Sequence, residues 1–152
     1  MDNNTIKYAV VGTGRGGTFM NPAPHMNMKL QAVCDLNPDK LIIMKHSRNL
    51  PEDLEVYTDY DEMLKQKDID CVAIFTQRHL HAPMVLKALE AGKHVLVEKP
   101  LALNVEDCEL LISEAKKRGV KASVVSQCRF HNTSRVLKNL VADGRLGRIV
   151  TA

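Results

Sequence analysis

Little in this sequence points towards a membrane, a metal or a nucleic acid. Its apolar runs, such as Ala9-Val10-Val11 and Val95-Leu96-Val97, fall far short of the ~18–20 residues that a membrane helix needs. Residues 1–5 are polar and acidic, without the charged-then-apolar pattern of a secretion signal or a twin arginine, so the cytosol is the expected location. There is no tryptophan, and aromatics make up only 4% of the chain. The 21 basic residues barely exceed the 18 acidic ones. With no basic stripe, no interleaved aromatics and no zinc-finger spacing, nucleic acid is not an expected partner.

The 4 cysteines, Cys34, Cys71, Cys108 and Cys128, are far apart and form no Cys-x-x-Cys pair. They read as buried free thiols rather than as disulfides or metal ligands. The histidines His79, His81 and His94 lack a persuasive metal geometry, so no metal is expected. No internal repeat or low-complexity tract interrupts the chain.

What remains is a regular alternation. Strand-like runs occur at Ile6–Val11, Leu30–Cys34, Val56–Tyr57, Cys71–Phe75, His94–Val97 and Val120–Val125. Near-continuous apolarity, rather than period-two alternation, suits strands covered on both faces. Helical stretches lie between them. Asn37 caps one that has Pro38 in its first position. Asp59 and Glu62 resemble a capping box before the next. A third runs from Pro83 to Ala91 and stops at Gly92. A fourth starts after Asn104, carries Cys108, Leu111, Ile112 and Ala115 on one face, and ends at Arg118-Gly119. Strand–helix alternation predicts a doubly wound parallel α/β sheet, and right-handed crossovers favour the Rossmann strand order 3-2-1-4-5-6.

At the far end, Val136, Leu137, Leu140 and Val141 line one face of a helix that Gly144 should end. The last four residues resemble the start of a new strand. The expected organisation is a dinucleotide-binding domain over residues 1–147, with 148–152 opening a further substrate domain.

The turn Gly12-Thr13-Gly14-Arg15-Gly16-Gly17 follows the first strand directly. Gly12 permits a sharp turn, Gly14 leaves room for a pyrophosphate, and Gly17 lets the next helix sit close to the sheet. Free N–H groups at the helix start face the anion, with Arg15 and Gly16 beside the phosphates. Asp35 stands 18 residues after Gly17 at the end of the second strand, where a carboxylate accepts hydrogen bonds from the adenosine ribose hydroxyls. That carboxylate repels a 2′-phosphate and favours NAD over NADP. NADP can still fit if either Lys40 or Arg48 reaches the site. Pro22 and Pro24 fall where the helix after the turn should continue, which predicts a short or broken first helix.

Two further segments carry a family likeness: Thr76-Gln77-Arg78-His79-Leu80-His81 after the fourth strand, and Ala88-Leu89-Glu90-Ala91-Gly92-Lys93-His94-Val95-Leu96-Val97-Glu98-Lys99-Pro100-Leu101-Ala102 around the fifth. Together with the glycine turn and the closing Gly144-Arg145-Leu146-Gly147, they resemble the glucose–fructose oxidoreductase/inositol 2-dehydrogenase (Gfo/Idh/MocA) family along essentially the whole chain. The resemblance implies an N-terminal Rossmann domain joined to a C-terminal α/β domain, the two together oxidising or reducing sugars, polyols and related compounds with NAD(P).

It also implies residue roles. Lys99 projects towards nicotinamide and substrate, where its ammonium biases a substrate hydroxyl towards proton loss. Glu98 holds the cofactor or the lysine. Thr76 and His81 match a Thr-Pro-x-x-x-His loop on the ribose side of the cofactor, with Gln77 in place of the proline; His81 serves equally well as a cap for the helix beginning near Pro83. Gln127 contacts the nicotinamide carboxamide, and Arg129 and Phe130 position its segment. The family's acid–base partner and its oligomeric contacts belong to the C-terminal domain, so the chain alone is expected to bind NAD without turnover. Two other classes share the glycine turn, a non-catalytic nucleotide-binding sensor and an S-adenosylmethionine-dependent methyltransferase. Glu98-Lys99-Pro100 argues against the second.

Overall fold

A computed structural model describes residues 5–21, 26–48 and 50–151. Six strands, β1 (Ile6–Val11), β2 (Met28–Cys34), β3 (Glu55–Tyr57), β4 (Cys71–Ile74), β5 (His94–Val97) and β6 (Ala122–Val124), form one sheet in the order β3-β2-β1-β4-β5-β6. Every neighbouring pair is parallel, so the expected fold and order are both present. The chain crosses from β3 to β4 over the central strands. The two half-sheets therefore diverge at β1 and β4, where a parallel sheet opens a crevice for ligands at its carboxyl edge.

The apolar runs are buried on both faces, as a parallel sheet requires. Ala9, Val11, Val72, Ile74, Val95 and Val97 pack against Met63 and Leu64 of α3 (Tyr60–Leu64), Val85, Ala88 and Leu89 of α4 (His81–Glu90), and Leu111 and Ala115 of α5 (Val105–Arg118). On the other face Tyr8, Val10, Leu30, Val33 and Ala73 meet Leu41 and Met44 of α2 (Pro38–Ser47). The β1–β2 ladder slips once: Tyr8 pairs with Leu30, but Ala9 pairs with Ala32, leaving Gln31 as a bulge. Leu30 thus shares a layer with Val33, while Ala32 and Cys34 face the other way.

Local chemistry explains the helix boundaries. The Asn37 side chain accepts from the N–H groups of Asp39 and Lys40 at 2.9 and 3.2 Å, with Pro38 next to the cap. Asp59 does the same for Asp61 and Glu62, and Asn104 for Asp107. Gly119 ends α5 in the left-handed conformation at φ 68°. Replacing Asn37 with alanine should remove about 1 kcal/mol of stability, seen as a melting midpoint lower by about 2–4 °C for a chain of this size.

Several expectations change. The helix after the glycine turn is indeed short: α1 covers Thr13–Gly16 and a 3-10 turn follows over Gly17–Phe19. Pro22 and Pro24 themselves lie outside the described residues. On α5, Leu111 and Ala115 turn inward, but Ile112 is 49% exposed, because the buried stripe is a narrow i, i+4 row. The apolar residues of α6 (Asn132–Ala142) are also largely exposed, with Val136, Leu137 and Val141 on the surface. The described residues after Gly147 form no strand; an extended segment needs a neighbour to complete its ladder. All four cysteines are free, but while Cys34 is buried as expected, Cys71 and Cys108 are half-buried and Cys128 is exposed. No helix among the described residues is long and apolar enough to cross a membrane.

Candidate functional site

The carboxyl ends of β1, β2 and β4 border a cleft of about 760 Å³. Gly12 and Gly14 form its floor, Asp35, Leu36, Asn37 and Lys40 one wall, and Thr76, Leu80 and Met84 the other. Gly12 makes the sharp turn at φ +84°, and its Cα lies against the backbone of Phe75: an added Cβ would stand 2.5 Å from the Phe75 carbonyl oxygen. At Gly14 an added Cβ would meet no protein atom within 4 Å. The close approach at Gly12 is to the protein itself, and the open side of Gly14 is left for a ligand.

The close helix–sheet contact belongs to Gly16, not to Gly17 as expected. A Cβ at Gly16 would lie 2.7 Å from Cγ1 of the buried Val10 and 3.0 Å from the Phe75 ring. Gly17 instead faces the Arg48 guanidinium, which donates to the Gly17 carbonyl at 2.7 Å. Arg48 is thereby committed to the turn and does not line the cleft. Lys40 does line it.

Asp35 is tied into the turn. Its Oδ2 accepts from the Thr13 N–H at 2.8 Å and the Thr13 hydroxyl at 2.6 Å, and Oδ1 accepts from the Asn37 N–H at 3.1 Å. Burial pushes this carboxyl up, but the Thr13 and Asn37 hydrogen bonds and the nearby Lys40 outweigh it and hold the group below the ordinary aspartate value. Asp35 is therefore an anion at neutral pH. The adjacent Cys34 thiol is pushed up to about 12 by burial and by Asp35 and Asp59, which keeps it protonated and unreactive.

Glu98 and Lys99 follow β5 at the same sheet edge. Glu98 is buried, its N–H donates to Ile74 O at 2.9 Å, and its Oε1 lies 3.8 Å from the Arg15 guanidinium. Lys99 is exposed. Thr76 borders the cleft.

His81 does not border it. This side chain is completely buried, with Nδ1 2.6 Å from Pro100 O and Nε2 3.2 Å from Thr76 O. It ties the loop after β4 to the loop carrying Lys99, which corrects the expectation of direct cofactor contact. Gln127 is exposed in a 3-10 turn over Gln127–Phe130 and does not line the cleft.

Residues that sequence reasoning missed complete the picture. Thr13 occupies a variable position of the glycine pattern, so spacing carried no sign of its bond to Asp35. Tyr60 reaches across the cleft wall to donate to Met84 O at 2.8 Å, and Lys87 pairs with Asp61 at 2.7 Å beside it. The cap at Asp59 was legible, but not that the next residue would brace the opposite helix.

Three comparisons bear on this geometry. The family described as an oxidoreductase family with an NAD-binding Rossmann fold (GFO_IDH_MocA) matches residues 6–126. The chain is 34% identical to scyllo-inositol dehydrogenase from Lactobacillus casei, solved with NAD(H) and scyllo-inositol, at a TM-score of 0.84 over 96% of this chain and 43% of that one. It is 30% identical to 2,7-anhydro-N-acetylneuraminate hydratase of Mediterraneibacter gnavus, over 96% of this chain and 38% of the relative. A third relative, 1-carboxy-3-chloro-3,4-dihydroxycyclo hexa-1,5-diene dehydrogenase of Comamonas testosteroni, is 33% identical over 95% of this chain and 36% of its own length. The chain thus spans less than half the length of each.

Proposed function

The chain belongs to the GFO_IDH_MocA oxidoreductase family, and from that premise we propose that it is the cofactor-binding part of an NAD-dependent oxidoreductase acting on a sugar, polyol or related hydroxy compound. The observation that carries the cofactor reading is the pairing of two features across one cleft: the unobstructed side of Gly14 and the anionic Asp35. Backbone at Gly14 leaves room for a pyrophosphate, with Arg15 beside it to neutralise charge. Asp35 receives the adenosine ribose and repels a 2′-phosphate.

Bound nicotinamide supplies the hydride acceptor. The chain's own contribution to the chemistry is Lys99, whose exposed ammonium hydrogen-bonds the substrate hydroxyl and eases departure of its proton. Glu98, next to it, holds Arg15 on the phosphate side. The substrate class is supported by the relative solved with scyllo-inositol. The substrate-side walls and the final proton acceptor come from the remainder of such a protein.

Calorimetric titration tests the cofactor reading. NAD should saturate the chain and NADP should bind far more weakly. Asp35→Ala should lower NAD affinity by about ten- to a hundredfold, the loss of one charge-assisted hydrogen bond, and narrow the gap between the cofactors. Turnover of polyols by the chain alone should be negligible. Equal affinity for both cofactors, or robust polyol oxidation without further sequence, would count against the proposal.

A further inference from the structure

We propose that Thr13 is a positioning residue that aims Asp35, and that its hydroxyl sets the preference for NAD over NADP. This rests on the reading that Asp35 receives the adenosine ribose.

An ionised carboxylate offers about four lone-pair sites. Thr13 fills both sites on Oδ2, through its N–H at 2.8 Å and its hydroxyl at 2.6 Å, and the Asn37 N–H takes one on Oδ1 at 3.1 Å. A single site remains, on Oδ1. Two donors from one residue on one oxygen fix the carboxylate plane, and Thr13 is itself held: it is buried, and it opens α1 within the glycine turn.

The nucleotide therefore meets a fixed anion with one free acceptor. A ribose hydroxyl has a proton to give to that acceptor. A 2′-phosphate has none, and it cannot push the charge aside without breaking both Thr13 contacts. Lys40, on the same cleft wall, is the cation that would draw a 2′-phosphate in if the carboxylate could swing away. Thr13 thus acts on the cofactor through Asp35.

The test is a double-mutant cycle on the chain, with NAD and NADP affinities as the readout. Thr13→Val keeps the shape and the backbone N–H but removes the hydroxyl. It should weaken NAD about tenfold, the scale of one charge-assisted hydrogen bond, and shrink the NAD/NADP affinity ratio by a similar factor. Thr13→Ser should restore both. In an Asp35→Ala background Thr13→Val should change NAD affinity by less than about twofold, because coupled residues do not add. Thr13→Ala serves as a second hydroxyl-free variant if the valine chain does not fold, as judged by circular dichroism.

An unchanged affinity ratio in the folded hydroxyl-free variant, the same loss in both backgrounds, or failure of serine to rescue would each overturn the inference. If Asp35→Ala shifts affinity while Thr13→Val does not, only this inference falls. If Asp35→Ala changes neither NAD affinity nor the ratio, the ribose reading falls and takes it along.

Discussion

Replacing Gly12 with alanine is expected to cost the fold at least about 3 kcal/mol and to abolish NAD binding. Two effects add. The backbone at φ +84° lies where an L side chain is strained, by about 1–3 kcal/mol. The new Cβ would also stand 2.5 Å from the Phe75 carbonyl oxygen and 2.8 Å from its carbon, and neither side can retreat. The Gly12 N–H is bonded to Cys34 O at 2.9 Å, the Phe75 N–H to Val11 O at 2.8 Å, and the Phe75 ring stacks on Phe19 at 4.4 Å. Thermal denaturation should show a midpoint lower by about 6–12 °C, at about 2–4 °C for each kcal/mol. Gly14→Ala is the control. Its Cβ meets nothing, so the melting curve should stay in place while NAD affinity is lost. A Gly12→Ala chain that melts like the wild type would mean that the turn yields more easily than its hydrogen bonds imply.

The second large effect is expected at His81. The imidazole is enclosed completely between Pro100 O at 2.6 Å and Thr76 O at 3.2 Å. Both partners are carbonyl oxygens, and a neutral ring has only one N–H. The ring therefore donates to one of the two carbonyls, and the tautomer decides which. Leucine fills a similar volume but gives neither carbonyl a proton. Leaving a buried acceptor unsatisfied costs about 1–3 kcal/mol, so His81→Leu should lower the unfolding free energy by about that much in urea, with the slope against denaturant unchanged. His81→Gln retains one donor and should recover part of the loss. The same variants should speed amide exchange around residues 98–101, because the loop bearing Lys99 loses its tie to the loop after β4. Wild-type stability in His81→Leu would show that the imidazole hydrogen bond contributes nothing.

What was legible in the sequence was what repeats or punctuates. Buried strands announce themselves as apolar runs, Asn37 and Asn104 announce helix starts, and a glycine turn after a strand with an acid beyond the next strand announces a nucleotide cleft. Contacts between distant residues were not legible. Glycine spacing cannot say which glycine the sheet presses on, so the close contact was expected at Gly17 and is found at Gly16, where Val10 and Phe75 leave no room. The likeness placed His81 on the cofactor, whereas burial places it beneath two loops. Nothing local marks Thr13, whose partner lies 22 residues away. The helical period gave a broad apolar face to α5, but the sheet covers only the row through Leu111 and Ala115.

The bulge at Gln31 bears on how this chain is aligned with others. A one-residue gap in a strand ordinarily exchanges every side chain between the two layers beyond it. Here the exchange is already built in. Removing Gln31 would leave Leu30, Ala32, Val33 and Cys34 alternating, with Leu30 and Val33 in the α2 layer and Ala32 and Cys34 in the other, where they already sit. A second strand one residue shorter at that point would therefore present Asp35 in the same direction. Counting from the last glycine to the acid is accordingly a loose ruler, and the end of the strand is the better landmark.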